Sequence, residues 1–435
     1  MAQDTAPALQ NQVIYSVFIR NHTEEGTFRA LIPDLDRIRA LGVDILWLMP
    51  IHPIGELCRK GSLGSPYANR DYRALNPEYG DMEDFRELVD AIHAQGMKCM
   101  IDVVYNHTSP DSVLWQTHPE FFYRRPDGRP GNHVGDWTDI IDLDYRVQSL
   151  WNYQVESLKH WAELVDGFRC DVASFVPVEF WLRARREIAA IKPGFLWLAE
   201  SVHRTFSVMC RRRGMYVARD VEAFEAFDME YEYDVRDAFD DYLDGKGSLT
   251  HWTDLLNFQE FSYPANYNKL RFLENHDTAR IAPRVRDARS LRNFTAMLYF
   301  LKGTTLLYAG QEVAAVHTPS LFDADKIQWE TGSDLAPLMR TLYRLKRETL
   351  SANDLFDALA DASGHIAVMT RDDGKQQKVG VFSLRGEAGT VSVNLPDGRY
   401  PNLLGEDQVE VLAGLLRCDG EPVWICAAKN MEVLP

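Results

Sequence analysis

The chain has 435 residues, 46% of them hydrophobic and 11% aromatic, enough for one barrel-sized domain and a smaller companion. Its formal net charge of −17 argues against nucleic acid or an anionic membrane as partner, since both select a positive surface, and leaves a neutral substrate open. No apolar run is long enough to span a bilayer, MAQDTAPALQNQ lacks a leader pattern, and six scattered cysteines form no C-x-x-C pair, so free thiols in a cytoplasmic compartment are expected.

The first strand is expected at Val13 to Arg20. A helix over Pro33 to Leu41 follows, with Leu35, Ile38 and Leu41 on one face and Gly42 ending it. Asp44 to Met49 is nearly all apolar, as a strand buried on both faces must be. Asp81 to Gln95 reads as a helix and Met97 to Val104 as the next strand. Tyr105 to Tyr145, rich in Pro, Gly, His and aromatic residues, is an excursion too long to be a mere connection. Leu150 to Val165 carries a continuous apolar stripe at helical spacing. Strands at Gly167 to Asp171, Phe195 to Ala199, Lys269 to Leu273 and Thr304 to Tyr308 alternate with helices at Val178 to Ile191 and Ser290 to Lys302. A weak segment near Phe227 completes eight strands. The alternation runs to about Leu350 and suits a closed (β/α)8 TIM barrel, with an open doubly wound sheet as the alternative. Beyond it, short strands at Ala367 to Arg371, Lys378 to Ser383, Gly389 to Asn394, Val409 to Leu415 and Val423 to Ala427 are separated by Asp-Gly turns. These are expected to form a small all-β domain over 357–435, beside a catalytic barrel over 1–356.

Ligands bind a parallel barrel at the carboxyl ends of its strands, and four of these ends carry acids or histidines. Alternation in GFRCD puts Arg169 and Asp171 on one face and Cys170 on the other. A carboxylate beside a fixed guanidinium is expected to stay ionised, as a nucleophile must. Glu200 closes the apolar strand WLAE, where desolvation would raise its pKa and suit it to donate a proton. ENHD and DVVYNH add His276, Asp277, Asp102 and His107. Each group alone reads equally as an ion pair, a helix cap or a structural histidine; their convergence on one rim does not. Two mechanisms can use the set: retaining glycoside cleavage by two carboxylates about 5 Å apart, or metal-activated water. No H-x-H or H-E-x-x-H pair sits on these strands, nor a phosphate loop or GxSxG elbow. Tyr67, Tyr105 and Trp137 are aromatics expected near the rim that could stack on sugar rings.

The four blocks DVVYNH, GFRCDVAS, LAES and FLENHD, in this order, resemble the conserved blocks of the α-amylase family of glycoside hydrolases (family 13). GVDILWLMPI, IIDLD and GTTLLYAGQE are similar to its secondary blocks, and SPYANRDYRALNPEYG to the segment bearing its stacking tyrosine. The resemblance implies a (β/α)8 barrel with a short excursion after strand 3 and a C-terminal β-sandwich. It implies Asp171 as nucleophile, Glu200 as general acid/base and Asp277 as transition-state stabiliser. It further implies that Arg169 orients Asp171, that His107 and His276 bind sugar hydroxyls before the cleaved bond, that Asp102 supports that rim and that Tyr67 stacks beneath the ring.

Where secreted α-amylases have a Lys-His pair after the nucleophile, this chain has Ser174 and Phe175. That departure touches the family's calcium site, for which Asn106 and Asp142 match other positions, and its leaving-side subsite. The expectation is an enzyme cleaving α-1,4 bonds of maltodextrins, with an α-glucan or oligosaccharide as partner and no required cofactor. A transglycosidase or isomerase on sucrose- or trehalose-type α-glucosides would use the same residues. Chain-length preference is expected to depend on Gly55 to Ser65 and Val202 to Asp220.

Overall fold

The computed structural model describes residues 4–429; residues 1–3 and 430–435 lie outside it. Eight parallel strands close into one barrel: β1 Val13–Val17, β2 Ile45–Leu48, β3 Lys98–Val103, β4 Gly167–Cys170, β5 Leu196–Ala199, β6 Met229–Tyr231, β7 Lys269–Arg271 and β8 Thr304–Tyr308. Closure runs through β1, which pairs β2 on one side and β8 on the other. The open sheet is thereby excluded.

Local sequence explains the elements. Asp81 caps Met82–Ala94 through a reciprocal bond with Asp84, satisfying two first-turn N–H groups. Gly42 takes φ +93° and lies against Tyr343, whose ring would meet a Cβ at 2.1 Å. Gly167 opens β4 for a different reason: its φ is ordinary, and a Cβ would crowd Leu196 at 2.9 Å. The weak segment near Phe227 is indeed a strand. Its pattern is faint because Glu230 points outward, buried under the helices against Lys269 at 3.1 Å.

The excursion folds over the barrel mouth. Its two-stranded ladder pairs His107 with Asp142 and Thr108 with Ile141. The C-terminal domain holds two four-stranded antiparallel sheets. One has order β9–β10–β11–β16, from Leu355–Ala360, Ile366–Asp372, Gln376–Ser383 and Val423–Ala428. The other has order β12–β15–β14–β13, from Gly389–Ser392, Leu415–Cys418, Gln408–Leu412 and Gly398–Pro401. Phe382 and Trp424 of the first sheet pack their rings on Phe300 of the barrel helix Ala288–Phe300. The segment expected as one strand over 409–415 is a hairpin instead, turned at Ala413 and Gly414, which both have positive φ. Two strands went unread. In β9, Leu355 and Leu359 lie on the exposed face, which masks the alternation. In β13, Gly and Pro on an exposed edge hide it.

Candidate active site

The carboxyl ends of β3, β4 and β5 and the loop after β7 converge beneath the excursion. Asp102 on β3 lies directly across the ladder from Arg169 on β4. Arg169 is fully buried, and its guanidinium is the hub of the site. Nη1 donates to both oxygens of Asp102 and to Asp171 Oδ1, each at 3.0 Å. Nη2 lies 2.9 Å from Glu200 Oε1, an ion contact whose angle falls outside hydrogen-bond geometry. The rings of Trp47, Tyr67 and Tyr231 surround it at 5.2, 5.6 and 5.4 Å. This aromatic box fixes the cation and strips it of water. Alternation therefore placed Arg169 and Asp171 correctly, with the Cys170 thiol buried on the opposite face and its pKa pushed up by burial.

After Asp171 the chain turns sharply. Val172 sits in the left-handed region, φ 34° and ψ 45°, which is strained for a β-branched residue. The turn aims its N–H at Glu200 Oε2, 2.8 Å away. The strain thus fixes the second carboxylate against the first.

On the other wall, Tyr67 stacks on His276 with ring centroids 5.4 Å apart. Its hydroxyl meets His276 Nε2 at 2.7 Å and donates to Asp102 Oδ2 at 3.1 Å. His276 Nε2 is also 3.1 Å from Asp277 Oδ2. His107 Nε2 stands 3.9 Å from Asp171 Oδ2, beyond hydrogen-bond reach, with its ring against Trp137. The cleft enclosed is about 300 Å³. All eight expected catalytic and sugar-binding residues thus gather at one place. Tyr105 does not join them: it is buried in the core, stacked on Trp181, because its side chain alternates away from the rim.

Charge balance decides the protonation states. Asp102, Asp171 and Glu200 share a single guanidinium, and burial pushes them up to about 6, 7 and 7. At Asp171 desolvation opposes the ionisation that Arg169 favours, because that cation is divided among three acids. The Asp171/Glu200 pair consequently holds one proton between its members near neutrality. Asp277 behaves differently. Burial opposes its charge, but its side chain is 44% exposed, against 9% for Asp171 and Glu200, and the neighbouring His276 pulls its pKa below the usual value. Burial pushes His276 down, but the charge and hydrogen bond of Asp277, with Glu200, together carry its pKa above the usual value, whereas burial holds the pKa of His107 down.

The calcium candidates do not make a cation cage. Asp142 Oδ2 accepts the His133 backbone N–H at 2.7 Å and faces His133 Nδ1 at 2.6 Å. The Asn106 carbonyl is taken by the Leu143 N–H and its side chain faces His107 Nδ1. One buried oxygen, Asp142 Oδ1, is left without a partner, while calcium asks for roughly six to eight. The Phe175 ring lines the same hollow. Among the described residues no cluster of three or more His, Cys, Asp or Glu is arranged to hold a metal.

Sequence reading missed several cleft residues. Val172 gives a backbone donor that no side-chain pattern reveals. Lys60, Asp139, Leu321 and Phe322 also line the cleft. Lys60 lies in the Gly55 to Ser65 loop already singled out, and Asp139 directly precedes IIDLD, so position along the chain was the available signal. Among the described residues no helix is long and apolar enough to cross a membrane.

The catalytic-domain model of α-amylase matches residues 12–125 and 133–354, and the model of the bacterial α-amylase C-terminal domain matches 358–425. The crystal structure of an α-amylase from Lactobacillus plantarum superposes with a TM-score of 0.92 at 44% identity, covering 97% of this chain and all of the other. "Alpha-amylase MalA" of Haloarcula japonica is 24% identical over 431 residues, 93% of this chain and 61% of that protein. An α-1,4-glucan:maltose-1-phosphate maltosyltransferase of Myxococcus xanthus is 32% identical over 215 residues, 44% of this chain. The chain thus spans 61% and 32% of the lengths of these two curated relatives.

Proposed function

The chain belongs to the α-amylase family of glycoside hydrolases, and from that membership we propose that it is a retaining hydrolase of α-1,4-glucosidic bonds in maltooligosaccharides. The observation that carries the reading is the single guanidinium of Arg169, with Asp171 on one terminal nitrogen and Glu200 on the other. Two carboxylates held this way, with one proton between them, are what double displacement requires.

In the first step Asp171 Oδ2 attacks the anomeric carbon. Arg169 holds Oδ1, so Oδ2 is the oxygen left free. Glu200 gives its proton to the glycosidic oxygen as that bond breaks, and a glycosyl–Asp171 ester forms. In the second step Glu200 takes a proton from water, the resulting hydroxide equivalent attacks the same carbon, and the ester bond breaks to restore Asp171 and Glu200. Two inversions give net retention. Asp277 stays ionised beside His276 and stabilises positive charge developing on the ring. Tyr67 stacks beneath the sugar, and His107 and His276 hold its hydroxyls. No step needs calcium. Six free cysteines suit action in a reducing, cytoplasmic setting.

Transfer to a sugar hydroxyl instead of water would use the same intermediate. It is favoured to the extent that Trp137, Phe175 and Phe206, packed together on the flank of Val172, turn water away. Product analysis at high substrate concentration measures that partition. The test of the main reading is reducing-sugar release from maltotetraose by the wild type and by Asp171→Asn. Loss in the variant is expected; equal rates would overturn the role of Asp171.

A further inference from the structure

Three loops are tied together along one wall of the cleft. Three segments meet there: Gly55 to Ser65, the 136–139 stretch of the excursion and the 320–323 stretch after β8. Ser62 donates its N–H and hydroxyl to Asp323 Oδ1 at 2.8 and 2.6 Å, and the Leu63 N–H reaches the Phe322 carbonyl at 2.9 Å. Gly61, at φ +62°, lets the two backbones touch, since a Cβ would meet Phe322 at 2.6 Å. Arg20 Nη1 ties Gly64 and Leu321 from below through their carbonyls. Those bonds lock the first segment to the third. The excursion is tied to the first segment by the Glu56 N–H, which donates to Asp111 Oδ2 at 3.0 Å, and its 136–139 stretch is joined there through Lys60. Lys60 Nζ lies 2.9 Å from Asp139 Oδ1 and donates to the Asp136 carbonyl at 3.3 Å. Asp139 is 5% exposed, and among the described residues the cation paired with it is Lys60.

We propose that the Lys60–Asp139 pair is a clasp that closes the cleft at the non-reducing side of the substrate, so that glucan enters by a chain end and the clasp sets the length of the piece released. The proposal rests on the glucan reading above. Its direction follows from the segments that carry the clasp. The Ser65 hydroxyl takes the Tyr67 N–H at 3.1 Å, and Asp139 lies two residues from Trp137, whose ring packs on His107. On the glucan reading, Tyr67 and His107 surround the ring before the cleaved bond. An ion pair suits the task, because its loss removes the bridge while every other tie between the loops remains.

The test compares wild type, Lys60→Met, Asp139→Asn and the double variant on three substrates: open maltotetraose, maltoheptaose blocked at its non-reducing end, and α-cyclodextrin, which has no end. Wild type should cleave the open chain far faster than the other two. In Lys60→Met and in the double variant, the blocked-to-open and cyclic-to-open rate ratios should rise roughly tenfold or more, the scale on which one pocket contact discriminates. The products from long chains should lengthen as well. The double variant leaves no unpaired buried acid, so it answers the question if either single variant folds poorly. Ratios in the double variant equal to wild type, or ready cleavage of the cyclic and blocked substrates by wild type, would overturn the clasp alone. Failure of wild type to cleave maltotetraose would overturn the glucan reading and the clasp with it.

Discussion

Replacing Glu200 by glutamine should make the protein more stable at alkaline pH while disabling it. The carboxyl rises from 4.5 to about 7 on folding because burial outweighs its ion contact with Arg169. At ~1.36 kcal/mol per pKa unit, that shift is worth about 3 kcal/mol. The sign follows from linkage. Below the unfolded value the group is protonated in both states and costs nothing. As pH rises past it, the unfolded chain ionises first and stability drains away; above about 7 the full cost is in place. Glutamine keeps an acceptor for the Val172 N–H and carries no charge, so it escapes that cost. The stability difference between variant and wild type should therefore be near zero at acid pH and grow to about 2–3 kcal/mol by pH 8. Denaturant unfolding at both pH values measures it, and activity on maltotetraose should fall by roughly 10²–10⁴, as for loss of general acid catalysis. A variant no more stable than wild type at pH 8, or equally stabilised at both pH values, would refute the argument that Glu200 is held against its desolvation.

Other outcomes follow from the same geometry. The profile of kcat/KM against pH should be bell-shaped and centred near neutrality, falling above about 7 as the Asp171/Glu200 pair loses its shared proton and below as it gains a second. With a glycosyl fluoride, whose leaving group needs no proton, the alkaline limb should flatten. Tyr67→Phe should lower kcat/KM about fivefold through loss of a hydroxyl bond of ~1 kcal/mol. Tyr67→Ala should lose about a further tenfold with the ring, a stacking contribution of roughly 0.5–1.5 kcal/mol, which steady-state kinetics on maltotriose can resolve. Incubation with EDTA should leave activity and thermal midpoint unchanged, since His133 already occupies Asp142; a fall in either that calcium restores would show that the donors rearrange into a site.

Much of the barrel was legible because buried strands and amphipathic helices write their burial into the sequence. Asp44 to Met49 and Leu150 to Val165 are plain instances. β6 was faint because Glu230 faces outward into a buried ion cluster with Lys269, a tertiary arrangement that no local pattern encodes. β9 was lost for the opposite reason, with leucines on its exposed face. At the site, residue types on strand ends announced Asp171, Glu200 and the His276–Asp277 pair. Their protonation was not legible, because it depends on how many acids share Arg169. Val172 contributes a backbone N–H from a strained turn, and Lys60 and Asp139 meet only when two distant loops close over the barrel.

On the proposed mechanism, Asp171 becomes covalently linked to the sugar during turnover. The direct measurement is to inactivate the enzyme with a 5-fluoro-α-glucosyl fluoride, digest it and locate the adduct by mass spectrometry. A single fluoroglucosyl group on the peptide bearing Asp171, absent from Asp171→Asn, is the predicted result. An adduct on Glu200 or Asp277, or turnover with inversion and no adduct, would contradict it.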